Sequence, residues 1–121
     1  MKRNTIVVLI LLFLLLFPTA AAAPSVYTPA QLRQLNQSFQ SSAQVLKPRF
    51  TQGREGLVRA VQRMLNHLDY GPLAVDGHFD RGTREAVRSF QKHHHLTQDG
   101  CVNRTTWAHL LSEYRQAERI P

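Results

Sequence analysis

A short loop pattern occurs twice in this chain, each time after a stretch with helical hydrophobic spacing. The first copy covers residues 75–83 and the second covers residues 98–106. Apolar stretches with similar letters precede the two copies, at residues 60–65 and 86–91. Repetition at so short a period indicates a small supersecondary unit used twice. The fold is therefore restricted to an assembly of similar helical units.

The first half of each copy has the composition of a tight turn. Asp76 and Asp99 can accept hydrogen bonds from backbone amides two residues further along. Gly77 and Gly100 follow them and allow backbone conformations that other residues resist. The aspartates are therefore interpreted as turn-forming residues rather than as catalytic carboxylates.

The second half of each copy is suited to starting a helix. Asp80 and Asn103 are placed to act as N-caps. An apolar residue precedes each cap, in the place of a hydrophobic staple, and a threonine follows in the first turn, where its hydroxyl can bond locally. These apolar residues and threonines are Phe79, Val102, Thr83 and Thr106.

Three apolar stripes at helical spacing lie between residues 51 and 115, and no segment alternates for long enough to predict a strand. Residues 73–75 are the nearest strand candidate. We predict an all-α fold in which residues 51–115 form a small three-helix bundle of two pseudo-repeats, followed by a C-terminal tail at 116–121. The stripes contain Leu57, Val58, Val61, Leu65 and Leu68, then Ala86, Val87, Phe90 and His94, then Trp107, Leu110, Leu111 and Tyr114.

An additional N-terminal amphipathic helix with a linker is predicted for residues 24–50. Residues 28–31 form a capping box with proline at the first helical position, and Pro48 is expected to end the helix. The apolar stripe packs either on the following domain or on a partner, and its amphipathicity favours the domain. The stripe consists of Leu32, Leu35, Phe39 and Leu46.

Residues 1–23 have the layout of a secretory signal peptide. Lys2 and Arg3 precede an apolar run at residues 5–17, and alanines at 20–23 offer a cleavage site. The protein is therefore expected to be periplasmic or secreted. An uncleaved membrane anchor is the alternative, although the run is shorter than the roughly 20 apolar residues of a spanning helix.

The charge of the exported chain would be moderately positive. Removing Lys2 and Arg3 changes the formal charge from +7 to +5, which suits an anionic polymer or a membrane surface. Nucleic acid is disfavoured as a partner because there is no basic run and because the signal directs the chain out of the cytoplasm. Cys101 is the only cysteine, so the domain has no internal disulfide.

The ordered motifs resemble the peptidoglycan-binding domain found in bacterial cell-wall enzymes and in spore-cortex and phage lysins. The resemblance covers about residues 54–112 and implies a three-helix bundle that docks on cell-wall glycan or stem peptide. The matching positions are Val58, Val61, Gln62, Leu65, Asn66, Tyr70, Val75, Asp76, Gly77, Phe79, Thr83, Ala86, Val87, Phe90, Gln91, Asp99, Gly100, Val102, Thr106, Trp107 and Leu110.

This chain departs from the family pattern at the ends of two predicted helices. The family usually has glycine where Asp69 and His95 stand, at positions that often need a left-handed backbone. Asp and His tolerate that conformation better than most residues. Asp80 and Asn103 also replace a family glycine, and both are good N-caps. We therefore expect the fold to be retained.

The predicted ligand site lies around the first loop copy. Tyr70 and His78 are expected to stack on sugar faces, and the arginines to meet carboxylates of the stem peptide. The full set of candidate binding residues is Tyr70, Asp76, Gly77, His78, Phe79, Arg81, Thr83, Arg84 and Arg88.

Catalysis and metal binding are not predicted. Cys101 stands in a Gly-Cys context similar to the nucleophile of L,D-transpeptidases, but the upstream His-Gly motif of that family is missing. A free thiol that forms an intermolecular disulfide is the more plausible role. The three consecutive histidines 93–95 would point about 100° apart on a helix and cannot converge on one metal. No cofactor is implied.

Two further interpretations remain open. In the first, the protein is a periplasmic adaptor or inhibitor that binds a cell-wall enzyme or a secretion component through the N-terminal helix. In the second, it is a small hydrolase acting on the cell wall.

Overall fold

The computed structural model describes residues 27–42 and 45–119, and within these ranges the protein has four helices. The predicted signal peptide at 1–23 lies outside the described residues. The helices are α1 (Pro29–Ser42), α2 (Glu55–His67), α3 (Arg81–His93) and α4 (Arg104–Glu118). Two short strands, β1 (Val45–Leu46) and β2 (Val102–Asn103), pair antiparallel with Leu46 opposite Val102. The all-α prediction is confirmed.

The helix starts use the caps that the sequence predicts. The Asp80 carboxylate accepts a hydrogen bond from the Thr83 amide at 2.8 Å, and Asn103 accepts one from Thr106 at 2.9 Å. At the start of α1, the Thr28 amide donates to the Gln31 side chain while the Gln31 amide donates to the Thr28 hydroxyl. Amides that would otherwise lack a partner in the first turn are thereby satisfied.

Helices α2 and α3 end in the same way. Asp69 and His95 adopt positive φ angles of 66° and 55°, as expected for the positions where the family has glycine. The amide of the next residue then reaches back into the helix, from Tyr70 to the Leu65 carbonyl and from Leu96 to the Gln91 carbonyl, both at 2.8 Å. This pattern is typical of a helix that ends in a left-handed residue.

Two boundary predictions are wrong. Helix α1 ends at Ser42, before Pro48, and Leu46 belongs to β1 because its backbone pairs with Val102 in β2. Residues 73–75, the nearest strand candidate in the sequence, have no regular structure, in agreement with the prediction that they are too short to form a strand. The tail was predicted to begin at residue 116, but α4 continues to Glu118, whose carboxylate lies 2.6 Å from the His67 ring.

Helix α1 packs into the core of the described structure, as its amphipathic pattern favoured. Leu32, Phe39 and Leu46 are completely buried. Phe39 stacks on Trp107 with ring centroids 4.7 Å apart and an angle of 3° between the planes. The Trp107 indole N–H donates to the Asn36 side chain at 3.0 Å. The N-terminal helix therefore shares one hydrophobic core with α2, α3 and α4.

None of the helices in the described ranges is both long enough and apolar enough to cross a membrane.

Candidate functional site

The first loop copy is held by the side chain of Gln62, which projects from α2 and is completely buried. Its amide nitrogen donates to the Asp76 carboxylate, the His78 carbonyl and the Thr83 hydroxyl at 2.9–3.1 Å. Its oxygen accepts from the Asp76 and Gly77 amides at 3.1 and 3.0 Å. One side chain thus joins α2, the loop and the start of α3.

Gln91 of α3 holds the second copy in the same way. Its amide nitrogen donates to the Asp99 carboxylate, the Cys101 carbonyl and the Thr106 hydroxyl at 2.9–3.1 Å. Its oxygen accepts from the Gly100 amide at 2.9 Å. Each loop aspartate also accepts the amide two residues further along, from His78 and Cys101 respectively, at 2.9 Å. The interpretation of both aspartates as turn-forming residues is confirmed.

The two loops place their glycines where a side chain would collide with a neighbour. Gly77 and Gly100 have φ angles of 78° and 72°. A Cβ on Gly100 would lie 2.6 Å from Cγ of Arg84 and 3.0 Å from Cγ of Arg88. The aliphatic stems of both arginines therefore lie close against Gly100 in the second loop.

A basic groove runs along the exposed face of α3. Its volume is about 450 Å³. Phe79 forms an apolar part of its surface, and Pro48 contributes from the segment between β1 and α2. The remaining lining residues are Asp80, Arg81, Arg84, Glu85 and Arg88. The structure therefore brings four of the predicted binding residues, Phe79, Arg81, Arg84 and Arg88, to one surface.

The arginines of the groove are exposed and available for a ligand. In the described ranges, the ion pairs within 4 Å join His67 to Glu118 and His94 to Glu113, so no groove arginine is neutralised in this way. An exposed guanidinium presents a planar set of donors that matches a carboxylate or a phosphate. The groove is suited to a ligand with such groups.

Tyr70 lies away from the groove. Its ring packs edge-on against Phe90 with centroids 5.4 Å apart, and its hydroxyl is 3.2 Å from Nδ1 of His93. Burial raises the pKa of the Tyr70 hydroxyl, and the nearby Glu113 carboxylate adds to the effect. Because Tyr70 is half-buried and is not among the groove residues, a ligand in the groove would not reach it without extending over the end of α3.

The other candidate residues of the first loop have structural contacts. Asp76, Gly77 and Thr83 each form hydrogen bonds with the Gln62 side chain. Thr83 is only 1% exposed. The His78 side chain is exposed and is also not among the groove residues. These residues shape the loop next to the groove, and their roles as ligand contacts remain predictions.

The hydrogen bonds to the Asp76 carboxylate predict that the stability of the fold decreases at acidic pH. The His78 amide and then the Gln62 side chain hold the pKa of the Asp76 carboxyl below its usual value. A lowered pKa in the folded state stabilises the fold above the unfolded-state pKa of about 4, and the stabilisation is lost as the pH falls through the folded-state pKa. Asp76→Asn should therefore lose less stability than the wild type between about pH 5 and about pH 2.

Urea unfolding at several pH values measures this difference. Some acid dependence should persist in Asp76→Asn, because backbone amides, its own first and that of Gly53 second, also lower the pKa of the Glu55 carboxyl. Parallel stability curves for the variant and the wild type across this range would contradict the role of the Asp76 carboxylate.

The structure offers no support for a nucleophilic Cys101. Burial and then the neighbouring Asp99 carboxylate raise the pKa of the Cys101 thiol, and these effects outweigh the opposing charges of Arg84 and Lys47. A reactive cysteine needs a lowered pKa. Histidines 93–95 lie at the end of α3 and just beyond it, as expected. Among the described residues, no set of three or more His, Cys, Asp or Glu side chains is arranged to hold a metal ion.

Several residues that form the loops and the basic groove were not predicted from the sequence. Gln62 and Gln91 were recognised as parts of the family motif but not as the groups that hold the loops. The signal was a glutamine on an otherwise apolar helical stripe ahead of each loop copy. Pro48 gave no comparable signal, because its place beside α3 depends on the pairing of β1 with β2.

Taken together, the fold and the groove define a small all-α domain with two tightly held loops and a basic surface. Residues 54–110 match a protein-family model described as "Putative peptidoglycan binding domain", so this part of the chain is similar to that family. No solved structure matches the chain.

Proposed function

We propose that this is an exported, non-catalytic protein that binds peptidoglycan through the basic groove on α3. The observation that carries the proposal is that the family-matched segment supplies every lining residue of this groove except Pro48, with Arg81, Arg84 and Arg88 exposed along it. The signal-peptide pattern at residues 1–23 supports export to the compartment where peptidoglycan lies.

The chemistry of the groove favours the peptide part of the wall as the contact of the arginines. Stem peptides carry carboxylates, and a guanidinium binds a carboxylate through two parallel hydrogen bonds. Arg84 and Arg88 are one helical turn apart on α3, so both can reach a single extended segment. Asp80 and Glu85 on the same surface would repel a uniformly anionic polymer, which favours a ligand with separated carboxylates.

The two loop copies support the interpretation of the family segment as a three-helix bundle of two pseudo-repeats. Gln62 and Gln91 occupy corresponding positions and hold corresponding loops with the same types of hydrogen bond. The surroundings of the two copies differ. Pro48 and the arginines line a groove beside the start of α3, the helix that follows the first copy. We therefore propose that one ligand binds to the pair of repeats at this place.

Co-sedimentation with insoluble peptidoglycan tests the function. The double variant Arg84→Gln/Arg88→Gln should reduce the bound fraction by about five- to tenfold, since two charge-assisted contacts are lost. Arg104→Gln is the matched control, because Arg104 is an exposed arginine that follows the Asn103 cap as Arg81 follows Asp80. It should leave binding unchanged.

Salt provides a second readout of the same contacts. Raising NaCl from about 50 to about 300 mM should weaken wild-type binding more than binding of the double variant, because exposed charges are screened. A wild type that sediments no better than a basic control protein of similar size would refute the proposed function. Equal binding by wild type and double variant would refute the placement of the ligand in the groove.

The adaptor or inhibitor alternative receives less support. It depends on Leu32, Leu35 and Phe39 as a docking face, but Leu32 and Phe39 are completely buried in the core. A partner would have to displace α1 from Trp107 in order to reach them. Nothing in the described structure favours the hydrolase alternative.

A further inference from the structure

We propose that Phe50 is an aromatic platform on which a sugar ring of the wall fragment packs while its peptide lies in the basic groove. This inference rests on the proposed function and extends its site beyond the family-matched segment, because Phe50 precedes residue 54. The ring is 61% exposed. Among the described residues, Phe50 and Val75 are the exposed large hydrophobic side chains.

The position of the Phe50 backbone is held on both sides. Its amide donates to the Lys47 carbonyl at 3.2 Å and closes a turn in which Arg49 has a positive φ of 70°. Its carbonyl accepts from the Arg54 guanidinium at 3.5 Å, and the same guanidinium donates to the Val45 carbonyl at 3.3 Å. The backbone that carries the exposed ring is therefore held in a defined turn.

The turn adjoins the basic groove. Pro48, two residues before Phe50, lines the groove together with Arg84 and Arg88. Lys47, one residue before Pro48, is close enough to Cys101 for its positive charge to act on the thiol. Lys47 and Arg84 both oppose the rise of the Cys101 pKa. Lys47 and Arg84 thus both lie near Cys101, and the Lys47 ammonium lies over the Phe50 ring.

The surroundings of the ring favour a sugar over a lipid surface. The Lys47 ammonium lies over the ring, 4.5 Å from its centroid, and 61% of the residue remains exposed and accessible to a ligand. Aromatic rings combine a large apolar face with a negative quadrupole, which attracts the polarised C–H groups on the face of a pyranose. The neighbouring groove is concave and includes Asp80 and Glu85, and these two carboxylates oppose the attraction of basic side chains to an anionic bilayer.

Sedimentation with insoluble peptidoglycan and, in parallel, with anionic phosphatidylglycerol vesicles tests the proposal on the full mature chain. Phe50→Ala should weaken peptidoglycan binding about fivefold, and Phe50→Leu should weaken it to a similar degree, because leucine is apolar but has no aromatic face. Val75→Ala is the matched control at the other exposed hydrophobic position and should bind within about twofold of the wild type. Because these side chains are exposed, the thermal unfolding midpoint should be unchanged in all three variants.

The possible results separate the alternatives. Unchanged wall binding in Phe50→Ala, with clear binding by the wild type, overturns the inference and leaves the proposed function intact. Full binding by Phe50→Leu also overturns it, because any apolar side chain would then suffice. Vesicle binding by the wild type that Phe50→Ala abolishes, with wall binding unaffected, assigns the ring to a lipid surface instead. A wild type that binds no peptidoglycan overturns both the function and the inference.

Discussion

Replacing Phe39 with alanine is expected to lower the free energy of unfolding by about 3–4 kcal/mol, the usual cost of removing a buried aromatic ring. Phe39 is completely buried and stacks on Trp107 at 4.7 Å. Its loss leaves a cavity between α1 and α4 and uncovers one face of the indole. A change of this size is a large part of the total stability of a small domain.

Urea unfolding followed by tryptophan fluorescence measures this effect directly, since Trp107 is the only tryptophan in the chain. The emission of the folded variant should also shift to longer wavelength as water reaches the indole. Gln40→Ala, at an exposed position next to Phe39 on α1, should change stability by less than about 0.5 kcal/mol. A loss below about 1 kcal/mol in Phe39→Ala would show that α1 does not share the core in solution.

The same contact changes how deletions of residues 24–50 should be interpreted. Such a deletion removes Leu32, Phe39 and Leu46 from the core and leaves Trp107 exposed. Loss of binding by the shortened protein would then reflect lost stability as well as any lost contact. Point substitutions on the surface, such as those at Arg84, Arg88 and Phe50, separate the two effects.

Replacing Gln62 with methionine should lower the free energy of unfolding by about 3 kcal/mol. Methionine has a similar length and is apolar, so the core volume is retained while every hydrogen bond of the side chain is lost. The Gly77 amide and the Thr83 hydroxyl are buried and would lose their Gln62 partner. Most of the expected loss in the free energy of unfolding comes from leaving buried donors and acceptors without hydrogen-bond partners.

Gln91→Met should have a comparable effect, because Gln91 holds the second loop with the same kinds of hydrogen bond. Gln98→Met is the control, since Gln98 is exposed at the start of that loop. Its stability should remain within about 0.5 kcal/mol of the wild type. If the two buried glutamines proved as tolerant of methionine as Gln98, the hydrogen-bond networks would not be what holds the loops.

Local features of the fold were predictable from the sequence because they depend on residues close together in the chain. The caps at Asp80 and Asn103 and the turns at Asp76 and Asp99 follow from the preferences of neighbouring residues. The left-handed residues Asp69 and His95 were expected from the glycines that the resembling family has at these positions. The buried stripes followed from helical periodicity. The order of motifs was also sufficient to recognise the family of residues 54–110.

The errors occurred where a partner distant in sequence decides the conformation. Leu46 fits the helical stripe of α1 by its spacing, yet it lies in β1 because its backbone pairs with Val102. The predicted end of α4 was too early. The last turn of α4 contacts His67 of α2 through Glu118, and this contact cannot be predicted from neighbouring residues in the sequence.

The candidate site was predictable only in part, for the same reason. Arg81, Arg84 and Arg88 share a helical face by their spacing, and the structure brings them together with Phe79. Tyr70 was grouped with them because of the family motif, whereas the fold turns it towards Phe90 and His93.

The sequence by itself therefore determined the turns, the caps and the apolar faces, since each is encoded by residues within one or two helical turns, and the order of its motifs determined the resemblance of residues 54–110 to a known family. Only the tertiary structure decided that α1 belongs to the core, that Gln62 and Gln91 hold the loops, and that Pro48 stands beside the arginines of α3. These arrangements arise from contacts between segments far apart in the chain, and their geometry is set by the packing of the whole domain.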